Sequence, residues 1–256
     1  MAMLQKSKEK IVFSIEAGES AESLANAIRR SVSDIPILAI DEVEFYKNDS
    51  ALYDEIIAHR LGLVPLKMEN LTEFEKCSCK GKGCGKCTIQ LKLTATGPCT
   101  VYSKSLKGGA KPVYENIPIV ILDKGQELEL VAKARLGRGA EHVKFSPGLV
   151  FYRNKAEIII DRECDLCEEC VKACPLKILA KDKKISAKDI EQCDLCEACV
   201  EACKKKKKGK SYITIKPTNE IIFFIESWGQ IEAKEILQEA VKTLNKNLGE
   251  VDKEIK

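Results

Sequence analysis

Cys164-Asp-Leu-Cys167-Glu-Glu-Cys170-Val-Lys-Ala-Cys174-Pro175 and Cys193-Asp-Leu-Cys196-Glu-Ala-Cys199-Val-Glu-Ala-Cys203-Lys204 are one pattern written twice. Each run has the form C-x2-C-x2-C-x3-C. The residues between the cysteines repeat as well: Asp165-Leu166 returns as Asp194-Leu195, Glu168 as Glu197, and Val171 as Val200. This is an internal duplication, and it sets apart a module over about 161–208.

Three thiolates at this spacing can each take one corner of an iron-sulfur cube, while the fourth cysteine points away to the cube of the other run. The expected pairing is therefore crossed. One [4Fe-4S] cluster takes Cys164, Cys167, Cys170 and Cys203, and the other takes Cys174, Cys193, Cys196 and Cys199. Pro175 follows the first run as the bacterial ferredoxin pattern asks, whereas Lys204 stands where the second proline would be. The alternatives are structural disulfides or two zinc ribbons. Disulfides suit short secreted chains, and no leader segment is read at Met1 and no apolar stretch long enough to span a bilayer, so a reducing cytoplasm is expected. Zinc ribbons use paired hooks with a longer loop between them, and a triple run offers more thiolates than one tetrahedral ion needs.

A length of 256 residues calls for two or three units, and 45% hydrophobic with 32% charged residues is the balance of a soluble globular protein. The formal net charge of +3 gives no case for a surface that coats nucleic acid. The densest basic block, Lys204 to Lys208, reads as a solvated linker beside the second run, with a phosphate contact as the alternative.

Outward from the cysteine module, Ile11, Phe13 and Ile15 alternate as a half-buried strand over 10–16. A helix follows, capped by Ser20, with Leu24, Ala27, Ile28 and Val32 as its apolar stripe and Pro36 as its stop. A strand runs over 37–46, and Ile56, Ile57 and Leu61 share one side of a short helix. Alternating stretches over 89–95, 117–122, 128–136 and 156–160 form a β-rich region. Beyond the module, 212–216 and 220–226 flank Pro217-Thr-Asn219 as a hairpin. A long helix from about Gln230 closes the chain, its Leu237, Val241, Leu244, Leu248 and Val251 spaced as a seam that pairs with another helix or packs on its own domain. With β-rich and cysteine-rich material between them, the two ends can join into one domain of an α+β chain.

Three segments carry a family resemblance. Asn26-Ala-Ile-Arg29-Arg30-Ser-Val-Ser-Asp-Ile35-Pro36, Ile57-Ala-His59-Arg60-Leu61-Gly62-Leu63-Val64-Pro65-Leu66 and Glu141-His142-Val-Lys144-Phe-Ser146-Pro147 resemble, in order, segments of the RNA polymerase alpha and third-largest-subunit family. With the cysteine module, the resemblance is to its archaeal branch. It implies an alpha-like dimerisation domain from 1–47 and 210–256, an inserted β-rich domain over 48–160, and a ferredoxin-like domain with two [4Fe-4S] clusters over 161–209. It implies a noncatalytic assembly subunit of DNA-directed RNA polymerase that heterodimerises with subunit L, recruits the largest and second-largest subunits and small adaptors, and meets DNA only through the assembled complex. Asn26, Arg29 and Arg30 fall on the family motif, and Arg30 matches an arginine that holds the second-largest subunit, a task suited to a planar, permanently charged guanidinium. Leu237, Val241, Leu244 and Leu248 complete the expected interface.

Cys77, Cys79, Cys84 and Cys87, interleaved with Gly81, Gly83 and Gly85, can turn tightly enough to enclose a tetrahedral ion. They resemble the zinc loop of the eukaryotic third-largest subunit, with a middle gap one residue longer. Structural zinc is expected, with a vacant or disulfide-bonded loop as the alternative. Cys99 is expected as a buried free thiol. His59 and His142 read as hydrogen-bonded residues rather than partners of a catalytic cysteine. No magnesium-binding aspartate loop is present, so no catalytic residue is expected. The rival functional readings are a ferredoxin-type electron carrier and a nucleic-acid-binding protein.

Overall fold

The computed structural model describes residues 2–16, 18–67 and 88–255. The cysteine loop Cys77, Cys79, Cys84 and Cys87 lies outside them. The chain divides into two compact units. The first comprises Met1–Lys6, Val12–Asn26 and Phe151–Phe224, and the second Ser7–Ile11, Ala27–Val150 and Ile225–Lys256.

The second unit is built on a sheet in the order β3-β8-β4-β6, from β3 (Ile37–Asn48), β4 (Thr88–Thr96), β6 (Lys107–Gly108) and β8 (Glu127–Gly137). Strand β8 shows why. Leu128, Leu130, Ala132 and Ala134 are buried while Glu127, Glu129 and Lys133 alternate with them on the other face, the period of two that a one-sided sheet needs. Helix α2 (Asp54–Gly62) lays Ile57 and Leu61 on this core, both 0% exposed. Ile56, read from the sequence on the same side, is exposed. A hairpin-like pair of β5 (Cys99–Tyr102) and β7 (Pro118–Leu122) adds Val101, Ile119 and Leu122 to the core.

One irregularity in β3 matters. Ile40 pairs with Ala134 and Glu42 with Lys133, which leaves Asp41 as the extra residue of a bulge. A bulge re-aims its extra side chain, and Asp41 meets Arg135 Nε at 2.6 Å and Lys144 Nζ at 2.5 Å. Phe145, 1% exposed, lies beneath both cations, 4.8 Å from the Arg135 guanidinium and 5.1 Å from Lys144 Nζ. Most of the third family segment is thus bound into the scaffold of its own unit. The chain closes on helix α5 (Ala233–Ile255), which buries Ala233, Ile236 and Ala240.

In the first unit, a sheet in the order β1-β2-β12-β9 joins β1 (Ala2–Lys6), β2 (Lys10–Glu16), β9 (Gly148–Ile160) and β12 (Ile213–Ser227). Phe13 stacks on Phe223 with centroids 5.2 Å apart, and Phe151 on Phe224 at 4.6 Å. The hairpin expected at Pro217 is absent, because β12 is one strand of 15 residues. Pro217 has no N–H to give to a ladder. Beside it, Asn154 Nδ2 donates to the Thr218 carbonyl at 3.1 Å and Thr218 Oγ1 to the Lys155 carbonyl at 3.0 Å, so side chains stitch the strands where the proline cannot. In α1 (Ala21–Ser31) the buried stripe is Ala21, Ala25 and Ile28, continued by Val32, while Leu24, expected in that stripe, is exposed.

Candidate metal centre

Within the first unit both cysteine runs fold the same way. Between the first and third cysteines the backbone passes through two left-handed residues at matching places, Leu166 (φ 58°) and Glu168 (φ 65°) in one run and Leu195 (φ 61°) and Glu197 (φ 58°) in the other. Side chains other than glycine rarely adopt this conformation, which costs on the order of 1–3 kcal/mol each and persists where the surroundings over-determine it. Each curl then enters a short helix, α3 (Glu169–Ala173) or α4 (Ala198–Lys206). The small hairpin of β10 (Leu179–Lys181) and β11 (Ile185–Ala187) lies between the runs in sequence.

The thiols turn inward. Cys170, Cys193, Cys199 and Cys203 are buried, Cys164, Cys167 and Cys174 are half-buried, Cys196 is exposed, and all eight are free. Their neighbours cross between the runs. Burial pushes the Cys170 thiol up, and Cys164 and Cys203 add to the push. Cys199 is pushed up to about 11, by burial first and then by Cys174 and Cys170. Cys174 also lines one small cleft with Cys193, Cys196 and Cys199, walled by Ile158, Pro175, Leu176, Ile178, Leu179 and Ile215. So the last thiol of each run faces the other run.

The donor set of eight cysteine thiols fits a metal centre that takes thiolate ligands. Buried thiols resist ionisation, and a metal core is what makes thiolates stable in an apolar pocket. Among the described residues, no three of His, Cys, Asp or Glu converge closely enough to hold one metal ion. The Tyr212 N–H donates to Cys203 Sγ at 3.3 Å, the kind of outer hydrogen bond that steadies a ligand.

The basic block is the last turn of α4 and the residues after it, rather than a free linker. Cations there complement the helix dipole, and three are paired: Lys204 with Glu201 at 2.8 Å, Lys207 with Asp165, and Lys210 with Glu163 at 3.1 Å.

Of the residues read as an interface, Arg29 and Arg30 are exposed on α1 and Asn26 is half-buried. On α5, Leu237 and Leu244 are half-buried, and Val241 and Leu248 are 38% and 59% exposed. Two family segments meet in the second unit, where Leu63, Val64 and Pro65 line an apolar cavity of about 370 Å³ with Val143, Tyr114 and Trp228. Sequence periodicity did not single out this cavity. Of the histidines, His142 accepts from the Lys144 N–H at 3.1 Å and His59 is exposed. Cys99, expected in the interior, is exposed at the start of β5, its thiol 3.5 Å from the Thr96 carbonyl. No helix among the described residues is long and apolar enough to cross a membrane.

Comparison with known proteins separates the same regions. A family profile described as the RNA polymerase Rpb3/RpoA insert domain matches residues 38–149, and one described as a 4Fe-4S dicluster domain matches 156–204. DNA-directed RNA polymerase subunit Rpo3 of Archaeoglobus fulgidus is 36% identical over 98% of this chain and 96% of its own length. The protein of the same name from Methanothermobacter thermautotrophicus is 40% identical over 95% and 94%. That of Pyrococcus furiosus is 36% identical over 94% and 91%.

Proposed function

Since the chain belongs to the family of archaeal DNA-directed RNA polymerase subunit Rpo3 and carries a 4Fe-4S dicluster domain, we propose that it is a noncatalytic scaffold on which that polymerase is assembled in the cytoplasm. The observation that carries this reading is the division of the apolar stripe of α5 along its length. Ala233, Ile236 and Ala240 are spent on the chain's own core, whereas Val241, Leu248 and Val251, the last 54% exposed, remain open. An apolar seam of this spacing is what a partner helix packs against. The partner we assign is archaeal subunit L, with residues 1–47 and 210–256 forming the dimerisation domain and 48–160 the β-rich insert.

The exposed Arg30 and the apolar cavity beside Leu63 and Val143 then face the larger subunits and small adaptors. Residues 161–209 form the cluster domain, one cluster on Cys164, Cys167, Cys170 and Cys203 and the other on Cys174, Cys193, Cys196 and Cys199. The clusters supply cross-links that a small apolar core lacks. Structural zinc on Cys77, Cys79, Cys84 and Cys87 belongs to the same proposal.

Anaerobic co-expression with archaeal subunit L, gel filtration, and metal and sulfide analysis of the peak test the reading. A one-to-one complex with about eight irons and about one zinc is expected. A monomer that holds iron and ignores subunit L would overturn the scaffold.

A further inference from the structure

The duplication repeats a carboxylate as well as the thiols. Asp165 and Asp194 occupy the same place in their runs, and each is tied to the second cysteine of its run. The Cys196 N–H donates to Asp194 Oδ1 at 3.2 Å, and Cys167 lies beside the Asp165 carboxylate and helps to hold its pKa down. A carboxylate fixed beside a thiolate is a like-charge neighbour, and it weakens an anionic site unless a cation answers it.

Both are answered from outside their runs, in different ways. Lys207, the residue after α4, forms an ion pair with Asp165, with side chains 23% and 51% exposed. Asp194 is exposed and makes no ion pair among the described residues; Arg153 on β9 acts on it only through its charge and is itself held elsewhere. Its Nη2 donates to the Glu191 carbonyl at 2.6 Å, its guanidinium lies 4.9 Å from the Phe224 ring, and its Nε is buried with no hydrogen-bond partner. Salt screens an ion pair whose carboxylate stands in solvent, as that of Asp165 does.

We propose that Lys207 is a positioning residue for the first centre: by neutralising Asp165 it keeps the loop from Cys164 to Cys167 closed, and dependence on a direct ion pair whose carboxylate stands in solvent makes that centre the salt-sensitive one, lost before its neighbour. This rests on the cluster assignment made above. Lys207 touches no thiolate that Asp165 does not already stand beside, so its action runs through the aspartate. The double variant that removes both charges should therefore restore what the single variant loses.

The test uses the full chain, purified anaerobically with its iron, and follows iron release to a chelator at low and high potassium chloride. Iodoacetamide labels the freed cysteines for mass spectrometry. The wild type is expected to lose iron in two phases, with Cys164, Cys167, Cys170 and Cys203 labelled first, and salt should speed only the first phase several-fold. Lys207→Gln should show the fast first phase at low salt and lose its salt dependence. Asp165→Asn with Lys207→Gln should return the phase to a slow, salt-independent rate. Release in one phase, or a Lys207→Gln variant that matches the wild type in rate and salt response, overturns the role of Lys207. A wild type that takes up no iron, or a first-labelled set holding Cys174 in place of Cys203, overturns the cluster assignment instead.

Discussion

The ring of Phe145 occupies the space that a side chain at Gly137 would need: a β-carbon there would stand 2.6 Å from the ring. Gly137 ends β8 and Phe145 lies under the Asp41 network, so the glycine permits the third family segment to close on the sheet. Gly137→Ala should cost roughly 1–3 kcal/mol through overpacking. Pairing it with Phe145→Leu should cost less than the sum of the two single changes. Urea unfolding of the three variants measures this, and strict additivity would mean that the two positions do not compete for the same space.

Asp41 should lend the second unit an acid-sensitive share of its stability. Burial raises its pKa, but hydrogen bonds from Lys144 and Arg135 outweigh that and hold the carboxyl below the usual carboxylate range. A lowered folded value contributes stability above the unfolded pKa of about 3.9, and the contribution disappears as pH falls through the folded value. Asp41→Asn should therefore cost roughly 1–3 kcal/mol at neutral pH. The gap from the wild type should close in strong acid. A gap that is constant from pH 7 to pH 2 would rule this out.

The proposed crossed ligation makes an unusual demand on Cys203. Cys203→Ser should leave the second run's own first three thiols serving their cluster and strip the one held by Cys164, Cys167 and Cys170. Iron should fall from about eight atoms to about four. Alkylation of the purified variant should label the first run and spare Cys193, Cys196 and Cys199. Labelling of the second run instead would show that each run serves itself.

Leu248→Glu should separate association from folding. Leu248 is 59% exposed, and surface changes usually stay within about 0.5 kcal/mol, so the lone chain should unfold as before while its pairing with subunit L is lost. Ile236→Glu, at a position 0% exposed, should instead unfold the second unit. Unchanged pairing by Leu248→Glu would remove α5 from the interface.

Much of this architecture was legible because alternation and spacing are local signals. Strand β8 and helix α2 follow from their buried residues, and the duplicated runs from their cysteines. The errors have physical causes. Pro217-Thr-Asn219 has turn composition, yet side-chain bonds from Asn154 and Thr218 carry a straight strand past the proline. Leu24 is apolar but faces outward, because Ala21, Ala25 and Ile28 already fill the inward face of α1. Cys99 is exposed because it opens a strand paired only with β7. Most of the centre's supporting chemistry was hidden. Leu166, Glu168, Leu195 and Glu197 are left-handed without being glycine, and the reach of Lys207 to Asp165 and of Arg153 towards Asp194 spans segments that no local pattern connects.

Helix α5 is 23 residues long, about 34 Å at the usual rise, yet its buried residues all lie in its first eight positions, and beyond Leu244 every described residue is exposed. Beyond Leu244 these turns bury no apolar side chain, although Asn247 Nδ2 donates to Asp34 Oδ2 at 3.4 Å, and most helical stability in proteins comes from packing an apolar face. On the proposed pairing, a copy made in excess of its partner would leave Leu248, Val251 and Ile255 open to solvent, while a paired copy would cover them. The same apolar end that would bind a partner would then mark every copy left without one.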